Sequence, residues 1–255
     1  MPSVPTLDYI AERLGVPAGY LLAEDDNEFV YRKITRMPDI KQAFLACDWH
    51  ICRDLCASLG GKDDEINYIV NLCIYNEAID YFRAGDLRNA ALLFSEAKSC
   101  ASDLTYPLGT LAAECETYLL CIATISQSLV SDIETVSEPV LASFSNSFCR
   151  YFSVLMALDN NDVAVIEPTK YNQMRSADEE HFANHIEAKM KMKTGHYNEA
   201  YHLLKKLLSS DSEISAPMLY FIFCDLEVCC RELSDYRGAY EFSSDKTGML
   251  ERFLG

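Results

Sequence analysis

Residues 71–97 read NLCIYNEAIDYFRAGDLRNAALLFSEA, and their spacing predicts two helices joined by a tight turn. Ala78 is small where the helices would cross, Tyr81 fills the gap beside it, and Gly85 supplies turn angles that other residues resist. Leu87, Ala90, Phe94 and Ala97 then recur at intervals of three and four, which lays one apolar stripe along the second helix. The turn reappears twice. Ala84-Gly-Asp-Leu-Arg-Asn-Ala90 aligns with Thr194-Gly-His-Tyr-Asn-Glu-Ala200 and with Leu233-Ser-Asp-Tyr-Arg-Gly-Ala239. Gly195 follows Gly85 by 110 residues and Ser234 follows Gly195 by 39, so units of roughly 34–40 residues, the size of a helical hairpin, fit both gaps. By periodicity Phe94, Tyr197, Leu204 and Tyr236 belong in the core.

Between these copies the period stays helical while the turn signature fades. Helices are expected at 108–129, 131–144, 147–158 and 162–175, with Asn160-Asn161-Asp162 as a stop and restart. A further pair is expected at 40–59 and 64–84.

The composition agrees with helices. Ten glycines and eight prolines in 255 residues make about 7% of the chain against roughly 12% in average usage, too few for a turn-dense β architecture. A hydrophobic fraction of 49% supports a substantial core. Twenty-two Lys and Arg against 39 Asp and Glu give a net charge of −17, which repels phosphate backbones and anionic lipid. Eleven cysteines fall mostly within apolar helical patterns and no signal peptide precedes them, so reduced thiols in a cytoplasmic protein are expected. The apolar stretches at 118–125 and 216–224 are too short for a membrane span.

The hairpin at 71–97 resembles the tetratricopeptide repeat at each signature position from Ala78 onward. The copy at 181–207 keeps Ala188, Gly195, Tyr197 and Ala200, and the copy at 220–246 keeps Tyr236 and Ala239. The resemblance implies an all-α, right-handed superhelix whose concave face binds a peptide or protein. In that family the groove is lined from the first helix of each hairpin. Counting back from the turns, this places Tyr75, Asn76, Ile79 and Arg83 in the first copy, His185, Lys189 and Lys193 in the second, and Asp225 and Arg231 in the third. Lys189 and Lys193 are four apart and share a helix face with His185, a cationic line suited to a peptide carboxylate or an acidic side chain. Asn76 can both donate to and accept from a peptide backbone.

The first 22 residues have another character. Thr6 suits a helix cap, Leu7, Ile10, Ala11 and Leu14 an apolar face, Gly15 a stop, and Pro17 the start of a second short helix carrying Tyr20, Leu21 and Leu22. This stretch resembles the last two helices of the XRE (Cro/CI-type) helix-turn-helix domain, without its recognition helix. Up to Glu28 it holds six acidic residues and one Arg13, so it offers DNA no basic surface. An XRE-type head on a tetratricopeptide body is similar to the peptide-responsive regulators of Gram-positive bacteria.

Residues 1–28 are therefore read as the end of a helix-turn-helix domain and 38–255 as the repeat domain. The expected function is the sensor or interaction domain of a homodimeric transcriptional regulator that touches DNA only through helices upstream of Met1. A stand-alone repeat scaffold that never touches DNA is the alternative. Metal and catalytic motifs do not compete with this reading. Cys47, His50, Cys52 and Cys56 diverge around one helix, and in His181-Phe-Ala-Asn-His185 the Glu of HExxH is replaced by Phe182. No GxxxxGK[ST], GxGxxG or GxSxG occurs, so neither an enzyme nor a cofactor is expected.

Overall fold

The computed structural model describes residues 4–14, 25–60, 63–103, 109–126, 146–160, 180–210 and 214–254, and no strand occurs among them. The protein is all-α. Eleven helices are described: α1 (Val4–Leu14), α2 (Asp25–Leu45), α3 (Trp49–Ala57), α4 (Asp64–Ala84), α5 (Leu87–Asp103), α6 (Gly109–Ile125), α7 (Ser147–Asp159), α8 (Glu180–Lys193), α9 (Tyr197–Leu208), α10 (Ala216–Glu232) and α11 (Tyr236–Leu254). The expected helices at 131–144 and 162–175, and Gly15 to Leu22 of the N-terminal pair, lie outside the described residues. The chain divides into two compact units, Met1–Asn76 and Glu77–Gly255, with the division inside α4. None of the described helices is long and apolar enough to cross a membrane.

Among the described residues, one turn geometry occurs four times. At Gly85 (φ 91°) the N–H donates to the carbonyl of Phe82, that of Asp86 to Tyr81, and that of Ala90 to Asp86. This is a Schellman closure followed directly by the first bond of the next helix. Gly195 (φ 80°), with donors at Gly195, His196 and Ala200, repeats it bond for bond. So does Ser234 (φ 61°), a non-glycine held in the left-handed region.

The fourth copy escaped the sequence reading. Cys47 (φ 59°) donates to Phe44, Asp48 to Ala43 and Cys52 to Asp48. The helix expected across 40–59 is therefore broken into α2 and α3, and Ala46-Cys-Asp-Trp-His-Ile-Cys52 takes the place of Ala84-Gly-Asp-Leu-Arg-Asn-Ala90. Cys47 precedes Gly85 by 38 residues, the same interval within one residue as that from Gly195 to Ser234. A second correction concerns α1. It begins at Val4 with Pro5 in its first turn, which puts Thr6 inside the helix and not at its cap.

In the first unit, Ile40, Ala43, Cys52, Cys56, Leu59, Ile66 and Cys73 form a core ringed by Phe29, Met37, Phe44, Trp49 and Leu55. Lys33 of α2 bonds both Asp63 and Glu65, while Asp63 accepts from the N–H of Ile66 in the first turn of α4.

The second unit is built on a run of aromatic rings. Phe94 stacks on Tyr118 at 4.4 Å and Tyr118 on Phe148 at 5.0 Å, with Phe82 edge-on to Tyr118 and Tyr151 stacked on Phe182 at 4.6 Å. Each such pair adds about 0.5–1.5 kcal/mol beyond area burial, and together they join α5, α6, α7 and α8. Beyond them α8 packs on α9, α9 on α10 and α10 on α11. Finally α11 returns to α5. Arg88 donates to the carbonyl of Leu254 at 3.0 Å, and Phe253 lies over Gly85. The last hairpin thereby meets the first turn of its own unit, which a strictly linear stack of neighbours does not provide.

Phe94 and Leu204 are fully buried, as their periodicity predicts, and Tyr197 is half-buried. Tyr236 is 73% exposed, because it opens α11 on a side that neither α10 nor α5 covers.

None of the eleven cysteines is in a disulfide, and only Cys47 is exposed. Burial pushes the thiols of Cys56, Cys115 and Cys229 up to about 12, so they are poor nucleophiles at neutral pH. Under native conditions a thiol reagent such as DTNB is expected to label Cys47 first. Mass mapping of the labelled peptides checks this, and the buried thiols should react only on unfolding.

Candidate functional site

The sequence-derived groove residues fall into distinct environments. Tyr75 and Asn76 belong to the first unit. Tyr75 is buried, and Asn76 is half-buried with its amide donating to the carbonyl of Leu72 one turn back. Ile79 is buried within α4, whereas Arg83, Lys193 and Arg231 are exposed.

His185, Lys189 and Asp225 are brought together, and they face one another. His185 has no exposed surface. Its Nε2 lies 3.1 Å from Oδ2 of Asp225, and its Nδ1 lies 2.6 Å from the hydroxyl of Tyr151, which is itself fully buried. Lys189 donates to Oδ1 of Asp225 at 2.7 Å and pairs with Asp159 at 3.1 Å. The network ties α7, through Tyr151 and Asp159, to α8, through His185 and Lys189, and to α10, through Asp225.

The electrostatics follow from these contacts. Burial alone would push the Asp225 carboxyl up, but the hydrogen bond from His185 and the ammonium of Lys189 outweigh it and hold Asp225 below the usual carboxylate range. For Lys189, burial works to lower the value, and Asp225 and Asp159 together keep it above its ordinary one. An ionised Asp225 accepts from both partners, so Nε2 of His185 carries a proton, and Nδ1 shares the second hydrogen bond with the Tyr151 hydroxyl. Burial raises the Tyr151 phenol well above its ordinary value, so the hydroxyl stays protonated.

A tyrosine, an imidazole and a carboxylate in line resemble a proton relay. Here both imidazole nitrogens are engaged and the ring has no exposed surface, so the chain of bonds acts as a strut between helices. The cationic line expected on α8 is thus largely neutralised from within: His185 bonds inward and Lys189 is held by two carboxylates. Of that line, Lys193 alone is exposed.

Tyr151 and Asp159 escaped the sequence reading. The helix carrying them was expected at 147–158, but periodicity does not tell which of its polar atoms meet partners on a distant helix, as Tyr151 meets His185 34 residues away. Among the described residues, no group of three or more His, Cys, Asp or Glu side chains could hold a metal ion. Cys52 and Cys56 are buried, while Cys47 and His50 are exposed. No family model, curated protein or solved structure matches the chain.

Proposed function

We propose that the chain is the sensor or interaction domain of a transcriptional regulator, a tetratricopeptide-like stack that binds an extended peptide or protein segment on its concave face and acts as a homodimer in the cytoplasm. The observation that carries this reading is the fourfold turn at Cys47, Gly85, Gly195 and Ser234. Hairpins repeated with one closure geometry leave rows of first-helix side chains for a ligand. In this reading the Tyr151–His185–Asp225–Lys189 strut holds the helices in register, and the exposed Arg83, Lys193 and Arg231 meet the ligand. Its role is binding, without catalysis. The regulator part rests on the resemblance of the first 22 residues to the end of an XRE-type domain, with DNA contact assigned to helices upstream of Met1.

Panning the chain against a displayed library of linear peptides, followed by fluorescence polarisation, tests the binding role. A selected peptide with an acidic or free-carboxylate end should bind saturably. Reversing Arg83, Lys193 and Arg231 to Glu together should weaken it by at least about fivefold, the loss of roughly 1 kcal/mol of charge-assisted contact. No enrichment, or unchanged affinity in the triple variant, would refute the groove. In-frame coding sequence before Met1 that specifies three further helices is expected if the chain serves a regulator, and an immediate stop codon there would leave only the scaffold.

A further inference from the structure

Where α11 returns to α5, a cavity of about 470 Å³ opens, lined by Ala84–Asp86, Arg88 and Asn89 on one side and by Ala216, Leu219, Met249, Arg252 and Phe253 on the other. This volume falls in the usual range for small-ligand sites. Its floor is apolar, made by Leu219, Met249 and Phe253. Its charge is cationic in a chain of net −17. Arg88 spends one guanidinium N–H on the carbonyl of Leu254, and Arg252 spends its Nε–H on the carbonyl of Gly248. A guanidinium has five N–H donors, and neither arginine pairs with a carboxylate among the described residues. The acidic lining residue, Asp86, is already committed: Oδ1 accepts from the N–H of Asn89 and Oδ2 from its side-chain amide.

We infer that this seam is a binding site for a carboxylate carried on a short apolar group. Two guanidinium groups would hold the carboxylate through paired N–H donors, and the apolar group would lie against Leu219, Met249 and Phe253. Phosphate and sulfate match the charge but leave the apolar floor uncovered. The required chemistry is shared by the C-terminal residue of a peptide and by a small branched acid. This site is separate from the concave groove and stands whether or not that groove binds a peptide. A bound ligand would bridge the start of α5 and the end of α11, so it would stabilise the native state by mass action.

The test is isothermal titration calorimetry of the full chain with three probes: acetyl-Ala-Ala-Leu as the free acid, the same peptide as its C-terminal amide, and 4-methylpentanoate. The free-acid peptide should bind saturably with one site per chain and raise Tm, and the amide should bind at least tenfold more weakly. Binding of 4-methylpentanoate as well would identify a small-acid site, whereas binding of the peptide alone would identify a peptide C-terminus.

Arg88→Gln with Arg252→Gln should reduce affinity at least tenfold, while Arg237→Gln, a surface control, should not. Because the Arg88 change also removes the bond to Leu254, Leu219→Trp serves as a second variant that fills the floor and keeps both arginines; it too should abolish binding. Absence of saturable binding by either acid, equal binding of acid and amide, or full affinity in both cavity variants would overturn the proposal. In that case the arginines only hold the end of α11.

Discussion

Asp225→Ala is expected to destabilise the second unit by about 3–5 kcal/mol, the cost of leaving one half of a buried pair without its partner. Asp225 is 4% exposed and receives bonds from His185 and Lys189. Its loss strands the Nε2–H of His185, which has no solvent to turn to, and leaves Lys189 with only the more exposed Asp159. Urea unfolding followed by circular dichroism at neutral pH measures the effect. Asp225→Asn keeps the shape and one acceptor and should cost less. Adding Lys189→Met to Asp225→Ala should recover part of the loss, because the stranded charge is then gone as well.

The pH dependence has a definite sign. The folded-state value of Asp225 lies below its unfolded one near 3.8, so its contribution is present above that value and disappears as pH falls through the folded value. Wild type and Asp225→Ala should therefore converge in stability at acid pH. Lys189 is raised above 10.5, so its share is intact below 10.5 and is lost as pH rises through the folded value. A gap between wild type and variant that stayed constant down to strongly acid pH would contradict the assignment.

Gly85→Ala is expected to cost about 2–5 kcal/mol. Left-handed backbone costs a residue with a Cβ about 1–2 kcal/mol. The rest is steric: a Cβ at Gly85 would lie 2.8 Å from Cε1 of Phe253 and 3.0 Å from Cβ of Ala216, and such overpacking costs about 1–3 kcal/mol. Gly195 separates the two contributions. Its φ is +80° but nothing lies within 4 Å of a Cβ there, so Gly195→Ala should lose only the backbone part. Equal losses at the two glycines would mean that α11 moves away from Gly85 without cost. A larger loss at Gly85 would assign the difference to the seam. Chemical denaturation of both variants decides between these outcomes.

The same turn shows how far the sequence can be read. Gly85 and Gly195 announce their conformation, since few other residues accept a positive φ so readily. Ser234 could be matched only because Tyr236 and Ala239 flank it as Leu87 and Ala90 flank Gly85. Cys47 could not, because a cysteine in the left-handed region is held there by the surrounding bonds and not by its own preference. The all-α class was legible for a similar reason: it rests on periodicity, which each segment carries within itself. The polar network was not legible. Counting positions from a turn placed His185, Lys189 and Asp225 on one kind of helix face, but it could not say that three helices bring these residues within bonding distance of one another. Tyr236 shows the same limit from the other side, since it follows its turn as Leu87 follows Gly85, yet its burial depended on a neighbour.

The contact between Arg88 and Leu254 spans 166 residues, and that distance bears on how the second unit comes apart and forms. A stack bonded only between neighbours can lose its terminal hairpin first, at low free energy, and can nucleate anywhere along its length. Here α11 rests on both α10 and the start of α5, so fraying that helix also uncovers the first hairpin. Hydrogen exchange should accordingly show α5 and α11 opening together, as one foldon. Because closure entropy grows with the length of the segment closed, this pairing is expected to form after the intervening helices, and pulse-labelling hydrogen exchange during refolding should show α5 and α11 protected late.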